Sequence, residues 1–181
     1  MESADPVHER PLPTTERLRE LMFDAARNGR ADVIAALVQA GVEPGIHDAR
    51  GYTPLILASY HGHEAATRYL LDAGAEVDAV DARGSNALMG CAFKGYDGLV
   101  RLLLDAGSDA NLRNAAGQTA LMIAALFGRT SIVDILLEAG ADPWVADIAG
   151  NTAAALARGQ GNEELESRIA ASERPAQSRS G

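Results

Sequence analysis

The sequence predicts an all-α solenoid: helix pairs joined by β-turn fingers and stacked in about five repeats, the first and last acting as caps. Two observations carry that expectation. First, Asp48, Asp81, Asn114 and Asp147 stand at a constant spacing of 33 residues, and self-similarity at a fixed period of about 20–50 residues marks a stacked-repeat architecture. Second, glycine recurs in phase with that period. Gly51, Gly84, Gly117 and Gly150 form one column, Gly29, Gly62, Gly95, Gly128 and Gly161 a second, and Gly41, Gly74, Gly107 and Gly140 a third. These columns absorb 13 of the 18 glycines, so glycine serves here as punctuation at turns and helix ends.

Each element follows from the residues between the glycines. "TPLILASYHG" opens with Thr53, a capping residue, and Pro54 at the first helical position, where its missing N–H is harmless. Leu55 and Ala58 mark its apolar face. "EAATRYLLDAG" reads as a second helix, ending with Leu70 and Leu71 before Gly74, and it recurs as "LVRLLLDAG" and "SIVDILLEAG". Neither helix of a pair can bury its apolar face alone, so neighbouring pairs must stack into one core. The third repeat reads "SNALMGCA" where its neighbours carry threonine, and Asn86 is expected to cap there.

The ends read as caps. In "TTERLRELMFDAARNG", Leu18, Leu21, Met22 and Ala25 recur at helical spacing on a long, otherwise polar helix. "GNTAAALARGQGNEELESRIAAS" is alanine-rich and then polar around Leu165 and Ile169, which suits a wettable terminal repeat. The expected organisation is a mobile segment at 1–13, a repeat domain at 14–172 and a disordered tail at 173–181. The repeats fall near 15–47, 48–80, 81–113, 114–146 and 147–172.

The formal net charge of −9 argues against affinity for nucleic acid or anionic membranes, both of which attract basic surfaces. With Cys91 as the single cysteine, no intrachain disulfide can form, which points to a reducing compartment. The N-terminal stretch "MESADPVHERPLPTTER" lacks the apolar run of a secretory signal, and no apolar run has the length of a membrane span. A cytoplasmic monomer is the expectation.

"GYTPLILASYHGH", "GQTALMIAALFGR" and "LLEAGADP", at this period, resemble the ankyrin-repeat family, and the resemblance covers about residues 15–172. It implies a β-turn, helix, helix unit and a concave face, built from the turn tips and the outer side of the first helices, that holds a protein partner. By repeat phase that face carries His47, Arg50, Tyr52, Tyr60 and His61 from the second repeat. Arg83, Phe93 and Lys94 come from the third, and Arg113, Leu126 and Phe127 from the fourth. The chain has eight aromatic residues, three Phe, four Tyr and one Trp, and four of them fall on this face. Aromatics and arginine are the residues enriched at interface hot spots. Acids such as Asp72, Glu76, Asp105, Asp109, Glu138 and Asp142 fall instead at the far ends of the second helices.

Competing readings of the same residues are blander. Phe93 and Phe127 could simply pack against adjacent turns and stiffen the stack. His61 and His63 form a "HGH" pair with His47 one finger away, but residues at i and i+2 are expected to point to different sides of a helix end, which disfavours a shared metal. The resemblance implies instead that His63 orders the turn between helices. Cys91 shares a small-residue column with Ala58 and Ala124 and is expected to be buried and inert. Asp48, Asp81 and Asp147 open turns, where an Asp side chain bonds nearby amides, so they are poor acid–base candidates.

The expected function is therefore a non-enzymatic module that binds a protein with an acidic or apolar epitope, without metal or cofactor. A narrower resemblance, in "ALMGCAFKGYDG", "AALFGR" and "GNTAAALARGQGN", is to small single-domain bacterial ankyrin proteins associated with catalases. It implies, as an alternative, an accessory protein supporting a haem catalase or oxidative-stress defence. Direct catalysis or metal chemistry is a disfavoured third reading, because no nucleophile, base and orienting group can be assembled from the sequence.

Overall fold

A computed structural model of the chain describes residues 14–172; the segments 1–13 and 173–181 lie outside the described residues. Among the described residues ten helices run in five pairs: α1 (Thr15–Arg27) with α2 (Ala31–Gln39), α3 (Pro54–Tyr60) with α4 (Glu64–Asp72), α5 (Ala87–Lys94) with α6 (Asp97–Asp105), α7 (Ala120–Leu126) with α8 (Thr130–Glu138), and α9 (Ala153–Gly159) with α10 (Glu163–Ala170). Among the described residues there is no strand.

The helix starts obey the capping chemistry. Thr53, Asn86, Thr119 and Thr152 each accept the amide of the residue three further on, at 3.1, 3.0, 3.3 and 3.3 Å. Asn86 thus starts α5 as threonine starts its counterparts. The helix and turn ends obey the glycine columns: among the described residues, those with positive φ are the 13 columnar glycines, and no other residue type adopts that conformation.

The first helices α1, α3, α5, α7 and α9 pack in chain order as one layer, and the second helices form another behind them. The core runs between the layers as columns that repeat the sequence period. Leu37, Leu70, Leu103, Leu136 and Ile169 form one, and Met22, Leu55, Leu88 and Leu121 another, all buried. Ala58, Cys91 and Ala124 are fully buried, and small side chains there let adjacent first helices approach. At the C-terminal end Arg168 on α10 donates to Asp134 of α8 at 2.8 Å, tying the last repeat down.

The fingers are held by one repeated device. The Oδ1 of Asp48 accepts the amides of Arg50 and Tyr52 at 2.8 and 2.9 Å. Asp81, Asn114 and Asp147 do the same for their own turns. Amide donation from Asn151 is the main cause that holds the Asp147 carboxyl below its ordinary range. Consecutive fingers are stitched by single backbone bonds: Ala82 N to Arg50 O at 3.0 Å, Ala115 N to Arg83 O at 2.9 Å, and Ile148 N to Ala116 O at 3.1 Å.

Gly51 shows what this stitching demands. Its φ is +78°, and a Cβ there would stand 2.8 Å from the Ala82 amide nitrogen. Gly51→Ala should therefore cost about 1–3 kcal/mol, from left-handed strain plus displacement of the next finger. Gly41→Ala is the control, because Gly41 has a φ of +90° but open space around it. Urea denaturation should rank Gly51→Ala as the more damaging; equal losses would mean that the finger yields without cost.

Candidate functional site

Three first helices end in large side chains, and the site begins there. Tyr60 closes α3, Phe93 is the penultimate residue of α5, and Phe127 is the residue just after α7. The Tyr60 and Phe93 rings lie nearly parallel with centroids 6.4 Å apart, and Phe93 meets Phe127 edge-on at 4.7 Å. His61 abuts Tyr60 edge-on at 5.6 Å, and the Lys94 ammonium lies 5.2 Å from the Tyr60 ring centroid, within cation–π range. The ladder nevertheless stays wet: Tyr60, Phe93 and Phe127 are 38%, 38% and 46% exposed.

The ladder runs along an open groove of about 900 Å³ between the first helices of the three central repeats and the fingers of the second to fifth. Ile56, Met89 and Ile123 contribute apolar surface on the helix side, while Arg83, Gln118 and Ile148 approach from the fingers. Asp81 is the acid among the lining residues, and its Oδ1 accepts two backbone amides. Among the described residues Arg50, Arg83 and Lys94 form no ion pair.

The eleven sequence-derived candidates divide between groove and rim. Tyr52, Tyr60, His61, Arg83, Phe93, Leu126 and Phe127 line the groove. Arg50 is an exposed finger-tip residue outside the lining, and Lys94 reaches the site through the Tyr60 ring. His47 and Arg113 are engaged internally. His47 donates from Nδ1 to Gly51 O at 3.1 Å, while its own carbonyl accepts from Arg19. The Arg113 guanidinium bridges Gly117 O at 3.2 Å and Ala146 O at 2.7 Å, clamping two consecutive fingers. Leu126 is half-buried, and Phe127 rather than Leu126 continues the ladder from Phe93.

One geometric expectation is corrected. The His61 and His63 rings do not diverge; they stack 6.2 Å apart at an interplanar angle of 21°. The reason is that α3 ends at Tyr60 and Gly62, at a φ of +81°, turns the chain between them, so helical spacing no longer applies. His63 donates from Nε2 to the Arg27 carbonyl at 2.9 Å, linking α4 to the end of α1. Arg129, two periods on, does the same with the Phe93 carbonyl at 3.3 Å. His61 titrates below its ordinary value, chiefly through desolvation and then through the charges of His63, Lys94 and Arg27. No cluster of three or more metal-binding side chains exists among the described residues.

Of the lining residues outside the eleven candidates, two carried a signal in the sequence. Ile148 breaks a column of Ala49, Ala82 and Ala115 and is 79% exposed. Gly90 lies outside the three glycine columns, within α5, where its repeat counterparts are Leu57, Ile123 and Leu156. A helix-interior glycine costs about 0.5–1 kcal/mol relative to alanine.

Cys91 lies beneath the groove, fully buried, with its thiol pushed up to about 12 by burial. At pH 8 its thiolate fraction is lower than that of a free cysteine by roughly a thousandfold. Ellman's reagent should therefore label the native protein slowly, at the rate of unfolding, and label the urea-unfolded chain at once. Rapid native labelling would show that the thiol is reachable.

The period, the capped helix pairs and the stitched fingers meet an independent comparison. A family model described as "Ankyrin repeats (3 copies)" matches residues 21–114 and again 89–165. The chain belongs to the ankyrin-repeat family. Ankyrin repeats are general protein–protein interaction modules, typically without enzymatic activity. The chain is 38% identical over 63 residues to an ankyrin repeat protein of Pseudomonas aeruginosa, a match covering 35% of this chain and 36% of that protein. It is 42% identical over 48 residues to the human Espin-like protein, covering 26% of this chain and 5% of the relative. The matched stretches thus span little more than a third of the curated relatives' lengths at most. Among the described residues, no helix of this ankyrin stack is long and apolar enough to cross a membrane.

Proposed function

We propose that this chain is a non-enzymatic ankyrin module that seats a protein partner in the groove between its fingers and first helices, without cofactor or metal. The observation that carries the reading is the Tyr60–Phe93–Phe127 ladder, which stays more than a third exposed along a continuous groove. Rings held this way lose little entropy when a partner desolvates them, so they make efficient anchors. The cations Arg50, Arg83 and Lys94 favour a partner epitope that combines apolar and acidic side chains. The reactive-looking groups beside the groove have structural partners: the Asp81 Oδ1 takes two amides, the His63 ring donates to a carbonyl, and the Cys91 thiol lies in the core. A single, free and buried cysteine suits the reducing cytoplasm, where the module is proposed to act as a monomer.

Site-specific photo-crosslinking tests the proposal. A benzophenone side chain at Tyr60 should yield an adduct with a protein in native lysate, and the same group at Glu138, on a second helix, should not. Adducts from Glu138 alone would move the binding face and overturn the reading. A catalase in the Tyr60 adduct would select the accessory-protein alternative.

A further inference from the structure

Gly90 is the feature of the groove that stacking does not explain. Its backbone conformation is ordinary helix, and it donates to Asn86 O at 3.3 Å like any helical residue. A Cβ added there would meet the Tyr60 ring at 3.4 Å, at the close edge of ordinary contact, and no other atom within 4 Å beyond its chain neighbours and its own helix backbone. Packing therefore does not require glycine at this position. At the counterpart positions Leu57 and Ile123 fill their space, and both line the same groove. The third repeat thus leaves out one large aliphatic side chain from the groove lining, beside Tyr60.

Building on the groove reading above, we propose that Gly90 opens a seat for one bulky apolar side chain of an extended partner peptide, which carries carboxylates on either side of that anchor. The apolar requirement comes from the Tyr60 ring that borders Gly90 and from the apolar lining of the groove it opens on, which includes Leu57, Met89, Phe93 and Ile123. Charge complementarity supplies the flanks. Lys94 lies over the Tyr60 ring, Arg83 lines the groove, and Arg50 stands on the neighbouring finger, none of them ion-paired among the described residues. The exposed acids Asp72, Asp105 and Glu138 end the second helices and line no part of the groove. At ordinary salt an exposed charge is screened beyond about 8 Å, so the nearby cations govern what docks despite the net charge of −9.

The probe is a displayed library of random peptides of about 12 residues, roughly 40 Å when extended, selected on the purified full chain. The enriched peptides are then titrated against the wild type, Gly90→Ala, Gly90→Leu and Phe127→Ala. Winners should carry one Leu, Met, Phe or Trp flanked by Asp or Glu, and higher salt should weaken them. Gly90→Leu, which restores the bulk of its counterpart Leu57, should weaken binding about tenfold or more while leaving the melting temperature unchanged or raised. Should Gly90→Leu fail to melt cooperatively, Gly90→Ala carries the test with a several-fold loss. Unchanged affinity for the Gly90 variants alongside a loss with Phe127→Ala would overturn the seat and leave the groove reading standing. Affinity indifferent to all the variants, or a library that enriches nothing, would overturn both. Winners lacking acids would overturn the charge assignment.

Discussion

Leu103→Ala should lower the stability of the chain by about 2–5 kcal/mol, a large fraction of the roughly 5–15 kcal/mol that holds a typical domain together. Leu103 is fully buried on α6, in the column that runs from Leu37 through Leu70 and Leu136 to Ile169. Truncation there removes apolar burial and leaves a void between layers that are fixed by the repeats on both sides, so the site cannot collapse. In a stack stabilised by nearest-neighbour contacts, damage to the third repeat weakens its interfaces with the second and the fourth. Urea unfolding followed by circular dichroism should show a lower midpoint. A broadened transition would mark loss of coupling between the two ends. A loss below about 1 kcal/mol would mean that the column is not the core of the solenoid.

Much of this fold was legible because a repeat states the same physics several times. Thirteen glycines in three columns marked the positions that adopt positive φ, and the capping role of Asn86 followed from its phase with Thr53 and Thr119. The site was legible in outline for the same reason, since phase alone brings Tyr60, Phe93 and Phe127 to one face. What phase could not reveal depends on distances between repeats. Arg113 shares a column with Val80 and Ala146, yet its guanidinium reaches the next finger's carbonyl at 2.7 Å, a reach that its counterparts lack. Asp78 bonds Asn86, Ser108 and the amide of Asp109; its in-phase counterpart Asn111 repeats only the last of these, with the Asp142 amide at 2.7 Å, so the bonds to Asn86 and Ser108 belong to one repeat junction. The stacking of His61 on His63 depends on the turn at Gly62, where helical spacing fails.

Phe127→Ala should weaken partner binding by about 2 kcal/mol or more, roughly 30-fold, while changing stability far less. Phe127 is the most exposed ring of the ladder, at 46%, and its main fixed aromatic contact is the edge-on meeting with Phe93. Losing that ring contact costs about 0.5–1.5 kcal/mol beyond the burial of the covered half of the ring, and the exposed half contributes nothing until a partner covers it. Phe93→Ala should follow the same pattern with a larger stability component, because Phe93 touches both Tyr60 and Phe127. Lys94→Glu should slow association with an acidic partner, and raised salt should mimic it on the wild type. The most direct measurement is the affinity of the crosslinked partner for wild type and Phe127→Ala by calorimetry, with urea unfolding of both chains alongside. A roughly 30-fold loss of affinity with nearly unchanged stability is the predicted result; intact affinity with a stability loss of several kcal/mol would make the ladder a structural stack and contradict the groove.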